Sequence, residues 1–98
     1  MPDPVSHTIR DEGYLDYLRR QPCAVCNDSA PSDPHHLDSG VMGSKGDDWT
    51  CVPLCREHHR EYHDHGERHM HEHYPVNLWE ESHRHLRRYH KEKQHTRV

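Results

Sequence analysis

The run Leu54-Cys55-Arg56-Glu57-His58-His59-Arg60-Glu61-Tyr62-His63 constrains this chain more than any other stretch, because it sets two metal-ligand spacings side by side. Cys55 and His58 stand three apart, a spacing by which a turn presents two ligands to one tetrahedral ion. His59 and His63 stand four apart, and on a helix such a pair projects from one face about one turn apart. Neither pair is a complete site. The upstream chain offers Cys23-Ala24-Val25-Cys26, a second close pair, and the doublet His35-His36.

Whether the thiols hold metal or form disulfides turns on chain size and compartment. With 98 residues, 30% of them apolar and no Phe, the sequence predicts one small domain with little core. Its mean hydropathy of -1.34 points the same way. Domains of this size often rely on metal or disulfide staples. No apolar run resembles a signal peptide or a membrane span, so a reducing, cytoplasmic setting is expected and metal is favoured. Cys51 is then the odd cysteine, read as a buried strand residue rather than a competing ligand. His65, His69, His71 and His73 form no partner set and read as exposed.

The formal charge of -4 argues against a generic nucleic-acid coat, yet the charge is unevenly placed. From His83 onward there are six basic residues (Arg84, Arg87, Arg88, Lys91, Lys93, Arg97) against Glu92, giving +5 and leaving -9 for the rest. A basic helix beside an acidic body could grip phosphate, and bound cations would offset part of the acidity. A solvated helical face is the plainer reading.

Local signals give the order of elements. Residues 1–7 carry two prolines and read as loose. A helix is expected over 8–21, capped by Thr8 with Asp11 three residues on, with Tyr14, Leu15 and Leu18 as its apolar stripe and Pro22 ending it. Asn27 to Pro34 reads as a loop after a knuckle-like turn. His35-His36-Leu37 begins a short strand, Gly40 to Asp48 a loop, and Trp49 to Leu54 a second strand. A helix carrying His59 and His63 follows. Gly66 breaks it, and a further helical turn ends before Pro75. Asn77 with Glu80 signals a last helix with Leu78, Trp79, Leu86 and Tyr89 as its stripe, fraying from about Gln94.

Strand, loop, strand and helix, with His-His on the first strand and His-xxx-His on the helix, resemble the HNH endonuclease family and its ββα-metal fold. The likeness is close over residues 23–63. Tyr14-Leu15, Pro22-Cys23, Met42-Gly43-Ser44-Lys45, Val52-Pro53-Leu54-Cys55 and Gly66-Glu67-Arg68 look more particularly like phage HNH nucleases related to the recombination enhancement function protein. The resemblance implies a small α+β nuclease domain, with a zinc knuckle and ββα-metal core over 22–65 and C-terminal helices over 66–98.

The resemblance also assigns roles. Cys23, Cys26, Cys55 and His58 would hold a structural zinc, with His58 where many members have a cysteine. His35, His59 and His63 would hold a catalytic divalent metal (Zn²⁺, Mn²⁺, Ni²⁺, Co²⁺ or Mg²⁺). His36 would be the general base. Adjacent strand residues point to opposite faces, so one imidazole can reach the metal while the other meets the attacking water. No Asn stands between His36 and His59; the middle position falls near Thr50, and Asp48 is favoured over Asp47 and Thr50. Lys45 is a candidate phosphate contact, and Arg84, Arg87, Arg88 and Lys91 are candidate nucleic-acid contacts. The implied activity is hydrolysis of DNA phosphodiesters in the cytoplasm, the host's if phage-encoded, with no membrane partner. The alternative is a noncatalytic zinc-binding DNA module.

Overall fold

The computed structural model describes residues 9–38 and 46–95. The described residues form a small α+β fold with a two-stranded sheet and three helices: α1 (Glu12–Arg19), β1 (Asp33–His36), a 3₁₀ turn (Asp48–Thr50), β2 (Cys51–Leu54), α2 (Arg56–His73) and α3 (Leu78–His95). No helix among the described residues is long and apolar enough to cross a membrane.

Helix α1 starts later than its sequence suggests. Asp11, not Thr8, is the cap, its carboxylate accepting from Tyr14 N–H at 3.1 Å. The preceding residues are held elsewhere: Ile9 N–H donates to Asp47 and Asp11 N–H to Asp48, each at 2.7 Å. Those bonds keep the backbone away from a helical turn. Thr8 and the expected loose segment 1–7 lie outside the described residues. The buried face of α1 is Tyr14, Tyr17 and Leu18, with Leu15 only half-buried.

Strands β1 and β2 pair antiparallel, with His35 opposite Val52 and His36 opposite Cys51. The second strand is shorter than Trp49–Leu54. Thr50 turns its N–H (3.0 Å) and hydroxyl (2.7 Å) onto the Asp47 carbonyl, which closes a 3₁₀ turn where extended chain was expected. Every residue of β2 is buried. That shortens the hairpin but anchors it in the core.

Helix α2 leaves β2 directly at Cys55, whose thiol accepts from His58 N–H as an N-cap. Gly66 interrupts it with φ 88° and ψ 173°, a conformation open to glycine and strained for side chains. The break expected there is present, and the helical chain beyond it ends at His73. Helix α3 opens with the expected box: Asn77 Oδ1 accepts from Glu80 N–H, and its amide donates to Glu80 Oε2, both at 3.2 Å. The helix includes Gln94 and His95 rather than fraying before them.

The stripe on α3 differs from expectation. Among the described side chains of α3, Leu78, Ser82, His85 and Tyr89 are buried, a spacing of four, three and four that follows one helical face. Trp79 lies one residue off that line and is 43% exposed. Lacking Phe, the core uses tyrosines: Tyr14, Tyr17 and Tyr89 pack with Leu18 and Cys51 between α1 and α3. The buried Tyr14 hydroxyl meets the carbonyls of Cys51 and Ser82, each at 3.3 Å. Two carbonyls for one hydroxyl keep that phenol satisfied, and burial pushes its acidity well down. A second cluster of Cys23, Leu37, Val52, Leu54, Met70 and Leu78 joins the Cys23 turn to β2, α2 and α3.

Candidate metal centres

None of the four cysteines forms a disulfide. Cys23, Cys26, Cys55 and His58 bring their ligand atoms within 4.8 Å of one another, a Cys3His group that could hold a metal such as zinc. His58 Nδ1 lies 3.1 Å from Cys55 Sγ and 3.8 Å from Cys23 Sγ, and Cys26 Sγ lies 4.0 Å from Cys55 Sγ. Tetrahedral zinc, with Zn–S of about 2.3 Å and Zn–N of about 2.0 Å, separates its ligands by roughly 3.5–3.8 Å. The observed spread brackets that value, so these residues fit the ion.

Local sequence builds this pocket from two turns. Asn27 takes φ 62°, a left-handed value that Asn tolerates, and its N–H closes onto the Cys23 carbonyl at 2.8 Å. The Ala24 N–H bonds the Pro53 carbonyl at 2.8 Å, docking the turn beside the end of β2 where Cys55 begins α2. Burial works to raise the Cys23 thiol, but backbone donors at Cys55, Cys26 and Val25 outweigh it and hold the group below its ordinary value. Backbone N–H groups thus favour the Cys23 thiolate, while burial and the neighbouring Cys23 and Cys55 sulfurs push the Cys26 thiol up to about 11. Cys51 is buried in the tyrosine cluster, apart from both groups of ligands, as a strand residue.

The second group, His35, His59 and His63, could also hold a metal ion, its ring nitrogens lying within 4.8 Å of one another. His59 Nε2 and His63 Nε2 face each other at 3.2 Å, placed by helical spacing. His35 reaches them from β1, its ring 5.1 Å from that of His59 and 5.2 Å from that of His63. Its Nε2 is buried without a hydrogen-bond partner. A buried polar atom left unpaired costs about 1–3 kcal/mol, and ligation would remove that cost. Burial, then the neighbouring His59 and His63, lowers His35 to about 4 and keeps it neutral, the form that binds metal.

Asp33 completes this centre and has no counterpart among the residues singled out from sequence. Its Oδ2 lies 3.2 Å from His59 Nδ1. An ionised carboxylate only accepts, so neutral His59 donates Nδ1–H and keeps the Nε2 lone pair for a metal. The signal was present in the strand period: Asp33 stands two residues before His35, on the same face of β1. Tyr62 lies against the other side of the site, its ring 4.0 Å from that of His35.

His36 points the opposite way, as its place next to His35 on a strand requires. Its Nε2 is 2.8 Å from Asp48 Oδ1. Asp48 is only 4% exposed and is held in turn by Asp11 N–H, with Arg10 Nη1 3.6 Å from its Oδ1. Of the three residues weighed for the middle position, Asp48 alone meets a histidine. Asp47 bonds Ile9, and the Thr50 hydroxyl bonds the Asp47 carbonyl. Asp48 stands outside the metal group and against His36.

The remaining site residues are placed as follows. Lys45 lies outside the described residues. Arg84, Arg87, Arg88 and Lys91 are exposed along α3, where Arg84 pairs with Glu81. His65, His71 and His73 are exposed as expected, whereas half-buried His69 donates to Glu61 at 2.6 Å and stacks between His65 and His73.

Comparison with known proteins gives a relative and a family. The uncharacterized protein YdfU of Escherichia coli (strain K12) is 47% identical over 55 residues, a stretch covering 53% of this chain and 16% of that protein. The similarity therefore spans under a fifth of the relative's length. No solved structure matches. A family model described as "Protein of unknown function (DUF968)" matches residues 1–83, and the chain belongs to that family.

Proposed function

We propose that the chain is a metal-dependent endonuclease of the HNH type, phage-like and acting in the cytoplasm, that hydrolyses DNA phosphodiesters on a ββα-metal core formed by β1, β2 and α2. One observation carries this reading: adjacent residues of one strand serve two different groups. His35, whose buried Nε2 has no hydrogen-bond partner, groups with His59 and His63, while His36 turns to Asp48. A binding module has no need for an oriented imidazole beside a three-histidine site.

The chain's own groups account for the proton. Asp48 holds the Nε2–H of His36, so the lone pair lies on Nδ1. That nitrogen takes a proton from water as the water oxygen bonds to phosphorus and the bond to the 3′ oxygen breaks. His35, His59 and His63 would hold a divalent ion, which would supply Lewis-acid stabilisation of charge on the phosphate and the leaving oxygen. Imidazole donors suit Zn²⁺, Mn²⁺, Co²⁺ or Ni²⁺ better than Mg²⁺. The Cys3His group is structural on this reading: it fixes where α2 starts, and so the directions of His59 and His63. Arg84, Arg87, Arg88 and Lys91 supply cationic contacts to the DNA backbone.

Relaxation of supercoiled plasmid by zinc-loaded protein, with each divalent metal added in turn, tests this. Nicking that needs added metal and disappears in His63→Ala supports the nuclease. Plasmid binding without nicking under any metal would leave the noncatalytic DNA-binding module.

A further inference from the structure

Helix α3 carries an exposed indole in the same groove as its cations. Trp79 is the large hydrophobic side chain that the described residues leave most open, at 43% exposure. It lines a groove of about 670 Å³ with Arg84, Arg87, Arg88 and Lys91. Glu80 and Glu81 line it too, so the groove carries four cationic and two anionic side chains. The acids stand beside Trp79 in the first turn, where they favour the helix dipole, and Glu81 pairs with Arg84. Arg87, Arg88 and Lys91 fall beyond them. From Trp79 to Lys91 the helix advances about 18 Å, enough for a short run of nucleotides.

This arrangement favours one occupant. The cations complement a polyanion, and an exposed indole held at 43% exposure gains by stacking on a flat ring. Duplex DNA presents phosphates but keeps its base faces stacked inside the helix. A single strand presents both phosphates and base faces. A second, smaller groove of about 290 Å³ shares Glu81, Arg84 and Arg88 and continues past Pro22, Ala24 and Val25 of the Cys3His turn. The cationic face therefore runs on toward the knuckle.

We propose that this face of α3 binds single-stranded DNA, with a base stacked on Trp79 and phosphates taken by Arg87, Arg88 and Lys91. The proposal names the substrate class of the nuclease reading and rests on it for biological sense, but its test does not require cleavage. Zinc-loaded His36→Ala protein, which on that reading binds without cutting, is titrated with a twenty-residue oligo-dT and with a hairpin duplex of equal length, following tryptophan emission.

The expected result is quenching by oligo-dT that disappears in a Trp79→Phe background, where Trp49 remains as the internal control. Affinity for oligo-dT should exceed that for the duplex, and Trp79→Ala should weaken it about ten- to hundredfold. The double variant Arg87→Ala/Lys91→Ala should reduce the salt dependence by about 1.4 in the log–log slope. Far-ultraviolet dichroism and zinc content show that each variant is folded. Equal affinity of Trp79→Ala and parent for oligo-dT, or tighter binding of duplex, overturns the proposal. So does emission that shifts with protein concentration alone, which would place a second copy of the chain over Trp79. Oligo-dT binding through Trp79 without any plasmid nicking would retain this surface and remove the nuclease. Nicking with unaltered Trp79→Ala binding would do the reverse.

Discussion

Asp48 Oδ1 sits 2.8 Å from His36 Nε2, at a carboxylate buried beneath the start of β2 and held from its other oxygen by Asp11 N–H. The contact ties the turn before β2 to the strand residue next to His35, and on the proposed reading it would leave Nδ1 of His36 as the base. Asp48→Asn retains the shape but not the charge that selects this tautomer. Nicking by Asp48→Asn should fall about ten- to hundredfold, less than the roughly 10²–10⁴-fold expected from removing a general base altogether. Single-turnover rates at saturating metal check this; an unchanged rate would detach Asp48 from the chemistry.

Asp33 acts on the other face of β1. Because it orients His59 through Nδ1 at 3.2 Å, Asp33→Ala should weaken the three-histidine centre about ten- to a hundredfold for added metal. Zinc affinity at the Cys3His group should be untouched. Calorimetric titration of zinc-loaded protein with Co²⁺ or Mn²⁺ separates the two centres. Equal weakening of both would mean that Asp33 supports the fold rather than His59.

The Cys3His group should govern folding. With zinc at the Cys3His group, metal-binding energy would be folding energy, as in other small metal-stapled domains. Cys23→Ala, or prolonged dialysis against a strong chelator, should abolish the cooperative thermal transition, while His63→Ala should leave it in place. A Cys23→Ala protein that melts cooperatively without zinc would contradict the assignment.

Acid sensitivity should come partly from α3. His85 is 5% exposed, donates to or accepts from the Tyr17 hydroxyl at 3.3 Å, and is lowered to about 4, first by burial and then by Arg84. Between that value and the ordinary histidine range near 6.5, the unfolded chain binds the extra proton, so stability rises with pH there and is lost as pH falls. The effect is up to about 3 kcal/mol by linkage. Urea midpoints between pH 7 and pH 5 should fall less steeply in His85→Gln than in wild type. Parallel slopes would assign the acid sensitivity to other groups.

Much of this architecture is legible in the sequence, and the parts that are not share a cause. Ligand sets depend on spacing along the chain, so Cys55 with His58 and His59 with His63 are readable directly. The break at Gly66 and the Asn77–Glu80 box are equally local. Asp33 shares a strand face with His35, but its pairing with His59 lies 26 residues away, and the start of α1 at Asp11 depends on a bond to Asp48 across 37 residues, which local sequence does not specify. Asp48 is favoured from sequence over Asp47 and Thr50, and the turn stabilised by Thr50 places Asp48 against His36. Trp79 illustrates the converse error: hydrophobicity suggested burial, but a single helical step placed His85 and Ser82 inside and the indole outside.

The most direct test of the account is the rate of plasmid nicking by His36→Ala against wild type, at equal zinc content and saturating divalent metal. The account predicts a loss of about 10²–10⁴-fold with metal binding at His35, His59 and His63 retained. A His36→Ala protein that nicks as fast as wild type would contradict it.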